Sequence, residues 1–164
     1  MTNNQLAEKE NQLYSKTIEL YKNNSEENLE DIFIAYNQIF KEYVNVAEND
    51  IEALKRSLFI QWYSISEPNY LTGISELEKK IEIRLLEILN EKIKANKLDN
   101  ELVWMLNYYA NWDYIYLRFP DFKEVIEFVK NRSEKYFPQK IDKLEMESRG
   151  QMEKYWISLN FASH

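Results

Sequence analysis

The sequence predicts an all-α protein, a compact antiparallel bundle of six or seven helices, and three observations predict it. Only two glycines and three prolines occur in 164 residues, too few for a sheet protein that must turn every ten residues or so. Apolar residues recur at three- and four-residue spacings along most of the chain, the pattern of helices that bury one face. Asn, Ser, Asp and Pro punctuate these stretches at intervals that suit helices of about 16 to 22 residues. With 45% hydrophobic and 15% aromatic residues, the chain has enough apolar side chain for the core of one domain.

Residues 4–22 carry a weak stripe of Leu6, Leu13, Tyr14, Ile18 and Tyr21 among polar neighbours, which reads as a peripheral N-terminal helix within residues 1–22. Asn24 and Glu27 have the spacing of a capping box for a second helix over 25–46. There Leu29, Phe33, Tyr36, Phe40 and Tyr43 form a strong stripe, widened by Ile32, Ile39 and Val46. Asn49 and Glu52 repeat the capping spacing before a third helix over 50–66, with Ile51, Leu54, Leu58, Trp62 and Ile65 on one side. Pro68 and Gly73 mark the clearest turn. Ser75 and Glu78 then suggest a fourth helix reaching residue 96, with Leu77, Ile81, Leu85 and Ile88 inward.

Asp99 is placed to cap a fifth helix over 100–119 that is apolar nearly all round, the property expected of a central helix. Pro120 suits the first turn of a sixth helix over 120–135, and Pro138 that of a seventh over 138–159 that Gly150 weakens or kinks. The aromatic tail from Lys154 to Phe161 is expected to dock.

The inventory of reactive side chains is poor. The single histidine is His164 and cysteine is absent, which disfavours zinc and di-iron sites, Cys–His and Ser–His catalysis, and disulfide frameworks. No glycine-rich phosphate loop or nucleophile elbow occurs, and no metal or cofactor is expected. A formal net charge of -7 disfavours nucleic acid and anionic membrane surfaces as partners and fits a basic or neutral one. The first ten residues lack the basic stretch and apolar run of a signal peptide, and the longest apolar-rich stretch, 102–112, is short for a membrane span. A cytoplasmic protein is expected.

Three constellations stand out. On the fifth helix Trp104, Tyr108, Asn111 and Trp112, with Asn107 and Asp113 beside them, lie at three- and four-residue spacings; they could line a pocket for a flat organic ligand, but such an aromatic stripe is ordinarily packed core with bonded amides. At the end of the third helix Gln61, Trp62, Glu67 and Tyr70 cluster with Thr72; Glu67 there is an acid, a base or an anchor, or simply turn chemistry. The carboxylates Glu26, Glu27, Glu30 and Asp31 favour a helix start through its dipole and offer an acidic contact surface. These features favour a non-enzymatic interaction module for a basic protein, such as an inhibitor or immunity-type protein. The alternative is a small-molecule binder, or a carboxylate- and tyrosine-based enzyme, with its site between the third and fifth helices.

Overall fold

The computed structural model describes residues 1–25 and 29–159, and among them the chain is helical with no strand. Among the described residues ten α-helices follow one another: α1 (Asn3–Lys22), α2 (Leu29–Val46), α3 (Ile51–Ser66), α4 (Asn69–Thr72), α5 (Lys79–Lys94), α6 (Asn100–Tyr109), α7 (Tyr114–Leu117), α8 (Lys123–Lys130), α9 (Lys143–Met146) and α10 (Gln151–Ser158). α2 packs between α1 and α3; α5 lies against α2, α3 and α8; α10 returns to α1 and α3.

The first four long helices stand close to where the hydrophobic pattern sets them, but their ends follow different chemistry. Asn24 closes α1 rather than opening α2: it adopts φ 52° while the N–H of Ser25 bonds the carbonyl of Leu20, a six-to-one closure that satisfies a terminal carbonyl. Its expected partner Glu27 lies outside the described residues. α3 is capped by Asp50, not Asn49, because the Asp50 carboxylate accepts the N–H groups of both Glu52 and Ala53. The expected Ser75–Glu78 cap of α5 gives way to Glu78 at the N-cap without a side-chain bond. Asp99 does cap α6, accepting from the Leu102 N–H.

The central helix is α3, not the fifth predicted helix. Residues 53–62 are buried without interruption, and this run includes Lys55, Arg56, Ser57 and Gln61, whose polar character hid it. Ser57 bonds the carbonyls of Ala53 and Leu54, and Lys55 and Arg56 find carboxylates, so burial leaves these groups paired. α1 uses its polar residues likewise. It buries Leu6, Ala7, Glu10 and Thr17, and Gly73 at the end of α4 approaches it so closely that a Cβ there would fall 2.6 Å from Thr17 Oγ1.

The last three predicted helices are much shorter than their patterns suggest, for three reasons. The fifth ends at Tyr109 and passes through a 3-10 turn (Ala110–Trp112) into the single turn α7. Asn107 and Asn111 turn their side-chain amides onto the carbonyls of Val103 and Tyr108, in competition with the regular ladder. The sixth begins at Lys123 rather than Pro120, because Asn90 of α5 caps it from outside: Asn90 Oδ1 accepts the N–H groups of Glu124 and Val125. It ends at Lys130, and beyond it the Ser133 N–H bonds Asn107 Oδ1 at 2.7 Å. The seventh is divided into α9 and α10 by Ser148 and Gly150, both at positive φ.

Candidate functional site

The aromatic constellation folds into a block of ring-on-ring contacts. Trp62, 1% exposed, lies 5.0 Å from the Tyr109 ring, 5.1 Å from Trp112 and 4.9 Å from Tyr155. Trp104 meets Trp156 edge-on at 4.8 Å, and Tyr108 meets the same indole at 5.0 Å. Tyr108 and Tyr155 join through their hydroxyls. Edge-to-face pairs of this kind add about 0.5–1.5 kcal/mol each beyond burial. Burial first, and then the Glu67 carboxylate, push the Tyr63 hydroxyl up to about 12; burial also raises Tyr108, whose bond to Tyr155 acts the other way. These phenols are neutral donors, and the block is built as core.

Of the ligand-binding candidates, Trp62, Trp104, Tyr108 and Trp112 therefore come together, and Glu67 ends α3 within electrostatic reach of Tyr63, Tyr108 and Tyr155. The others go elsewhere. Gln61 donates to Glu82 at 3.2 Å, and Glu82 also accepts from Arg118 at 2.8 Å. Tyr70 is half exposed and stacks on Tyr21 at 5.9 Å. Asn111 is exposed, while Asp113 is half-buried and its carbonyl accepts from the Tyr116 N–H.

The most unusual polar group is one that sequence reasoning missed. Glu10, on α1, is 1% exposed and sits in a cage of hydroxyls. Tyr36 donates to its Oε1 at 2.6 Å and Tyr43 to its Oε2 at 2.9 Å, and the backbone N–H of Gln151 is directed at the same carboxylate. Gln151 Nε2 in turn donates to the Tyr36 oxygen and to the Thr72 carbonyl. Burial raises the Glu10 carboxyl to about 7, against the opposing pull of Tyr36, Tyr43, Arg56 and Gln151. Burial, and then the Glu10 charge, also raise both tyrosine hydroxyls. The one advance signal was Tyr36 and Tyr43 seven residues apart on a buried face; nothing singled out Glu10 among its neighbouring acids.

A chain of ion pairs leads outward from this cage. Arg56, whose guanidinium carbon lies 5.9 Å from the Tyr43 ring centroid, pairs with Glu52 at 2.8 Å. Arg149 bridges Glu52 and Glu101 at 3.0 and 2.8 Å, and Lys55 bridges Glu101 and Asp99 at 2.9 and 2.7 Å. Burial raises the Glu101 carboxyl, but Arg149 and Lys55 outweigh it and hold it below the usual range. Every member has a partner, the condition under which a buried polar network gives a fold specificity. Among the described residues no group of three or more His, Cys, Asp or Glu is arranged to hold a metal ion, and no helix is long and apolar enough to cross a membrane.

The surface offers a different geometry beside α2. A shallow groove of about 590 Å³ runs between α2 and the segment before α5, lined by Glu30, Phe33, Ile34, Asn37, Glu76 and Glu78 among others. Asn37 fixes its two walls together, donating to the Glu76 carbonyl at 3.0 Å and accepting the Glu78 N–H at 3.1 Å. Ile34 is 61% exposed in the groove, between three exposed carboxylates and with no lysine or arginine in the lining. Asp31 is exposed on the same turn, and Glu26 and Glu27 precede it outside the described residues.

Comparison with family models, curated proteins and solved structures finds no match.

The arrangement therefore has to be judged by its chemistry. Glu10 has the weakened acidity, near neutral pH, of a proton-transfer group, yet its oxygens are taken up by tyrosine hydroxyls and a backbone N–H in the interior. The Glu30–Ile34 groove has the reverse character: an apolar anchor point that is open, and carboxylates that carry no ion pair among the described residues.

Proposed function

We propose that this chain is a non-enzymatic interaction module that holds a basic partner protein along the acidic flank of α2. The groove between α2 and residues 75–78 carries this reading, because Glu30, Glu76 and Glu78 surround the exposed Ile34 with no cation in the lining. A buried apolar contact inside a ring of charge is how interfaces combine affinity with steering. Glu26, Glu27 and Asp31 extend the same acidity along the chain, and the formal net charge of -7 adds a long-range attraction for basic surfaces. Capture of a basic effector by an inhibitor or immunity-type protein, in the cytoplasm, is the version that fits this chemistry. The alternative of a small-molecule site between α3 and α6 draws no support from tryptophan and tyrosine rings packed at about van der Waals contact.

The test uses a lysine-rich amphipathic peptide and fluorescence anisotropy at low and high salt. Binding is expected to weaken with salt, and Glu30→Lys, Glu76→Lys and Ile34→Asp are each expected to cost roughly tenfold or more in affinity, about 1.4 kcal/mol. Binding that ignores these three substitutions, or no binding at low salt, overturns the reading.

A further inference from the structure

On its other side α2 forms a second groove, with α1. Its two ends are lined by Met1, Leu6, Lys9 and Leu13 with Ile39 and Glu42, and by Leu13, Lys16 and Leu20 with Asp31 and Ile32; Ala35 lines both ends. Low numbers on α1 thus stand level with high numbers on α2, so the two helices run antiparallel. Leu6, Ile32 and Ile39 are buried in the protein's own core at the bottom of this groove, while Leu13, Leu20 and Ala35 stay partly exposed along it. The two cavities, about 290 and 480 Å³, meet over Ala35, the smallest side chain of the floor.

At two levels the rims of this groove carry opposite charges, Lys9 with Glu42 and Lys16 with Asp31. Lys9 and Lys16 stand on the α1 side, with Glu19 toward its end, and Asp31 and Glu42 stand on the α2 side. None of the five forms an ion pair among the described residues. We propose that this face binds a second copy of the chain about a two-fold axis parallel to the helices, making a four-helix bundle of two α1–α2 hairpins.

The axis follows from the charges. A two-fold along the helices lays α1 of each copy over α2 of the other at an unchanged level, so that Lys16 meets Asp31, Lys9 meets Glu42, and Leu13 enters the space above Ala35. A two-fold perpendicular to the helices sets α1 on α1 and brings lysine toward lysine. Complementary flanking charges of this sort select partner and orientation in helix bundles. A face about 27 Å long and two helices wide offers on the order of 500 Å² per copy, close to the roughly 1,000 Å² in total that a specific interface needs. The surface shares Ala35 and Gln38 with the acidic groove but leaves Glu30, Ile34, Glu76 and Glu78 outside it, so the inference does not depend on the proposed function.

The experiment is sedimentation equilibrium of the full chain and its charge variants, with helical circular dichroism as the check on folding. The native chain is expected at twice 19.9 kDa. Lys16→Glu and Asp31→Lys are each expected to weaken association about tenfold or more, and the two together to restore it to within about threefold, because position 16 faces position 31 of the other copy. A chain that stays monomeric at its highest soluble concentration overturns the proposal. So does a dimer indifferent to both single variants, or a double variant no better than the worse single one.

Discussion

The carboxylate of Glu10 occupies the place where a side chain on residue 150 would have to be: a Cβ built on Gly150 would fall 2.4 Å from Glu10 Oε2. Gly150, at φ 66° and ψ -138°, is the N-cap of α10, so the acid of the first helix sits against the backbone entry to the last. A conformation that L side chains rarely adopt and a contact that excludes any side chain coincide at one residue. The contact joins the two ends of the chain around α2, and it explains why the pattern of residues 138–159 does not form one helix.

Gly150→Ala is therefore a strongly destabilising substitution. This positive-φ, extended backbone costs about 1–3 kcal/mol for a residue with a Cβ, and Glu10 cannot move aside because Tyr36 and Tyr43 hold both of its oxygens. A total of at least about 2 kcal/mol is expected, roughly 6 °C in Tm for a chain of this length. Adding Glu10→Ala is expected to recover the steric part. Thermal melts of the single and double variants measure the coupling, and additive losses would contradict the contact.

The same carboxyl sets a pH dependence whose sign is fixed. Its acidity is shifted in the folded chain from 4.5 to about 7, so the folded state binds more protons than the unfolded one between these values. Stability from this group is fully present below about pH 4.5 and falls as pH rises to about 7, by about 3 kcal/mol. Glu10→Gln removes the titration. The stability of native protein relative to Glu10→Gln, measured by urea denaturation across this window, is expected to decline with rising pH; a flat difference would rule out a buried, late-titrating Glu10. Glu101 works in the opposite sense, since Arg149 and Lys55 hold its carboxyl low, and its contribution is lost on acidification.

Asn107 connects α6 to the segment after α8: Nδ2 donates to the Val103 carbonyl at 2.8 Å, and Oδ1 accepts the Ser133 N–H at 2.7 Å. Asn107→Ala leaves that N–H without its partner, a loss of about 1–3 kcal/mol. Hydrogen exchange is expected to accelerate at Ser133 and in the 3-10 turn Glu134–Tyr136, which packs on α6, before it does elsewhere. Unchanged protection there would show that Asn107 is incidental to the docking of this segment.

Helix class and the buried faces of α2 and α3 were legible because Tyr36, Phe40, Tyr43, Leu54, Leu58 and Trp62 repeat at helical spacing and are buried as that spacing requires. The aromatic block was legible as a set of residues. Its packing against Tyr155 and Trp156 was not, because that contact joins helices distant in sequence. The helix ends after residue 100 were illegible for a related reason. Asn90 caps α8 from α5, Asn107 holds Ser133, and Glu10 displaces any side chain at residue 150; each is a long-range contact that no local pattern encodes. Glu10 itself stands among Glu8, Lys9 and Asn11 as one more polar residue of a weakly patterned helix, and only the fold shows which of them turns inward. The acidic surface was half legible: Glu30 and Asp31 were read from the chain, whereas Glu76 and Glu78 join Glu30 only because Asn37 ties α2 to the segment before α5.

The most direct test of the acidic interaction surface is an amide-resolved NMR titration of the full chain with a lysine-rich amphipathic peptide at low salt. Shift changes are expected to concentrate at Glu30, Ile34, Asn37, Glu76 and Glu78, to be absent at high salt and to be lost in Ile34→Asp. Changes centred instead on Trp62, Tyr108 and Trp112, or spread evenly over every acidic residue, would contradict an interaction surface there.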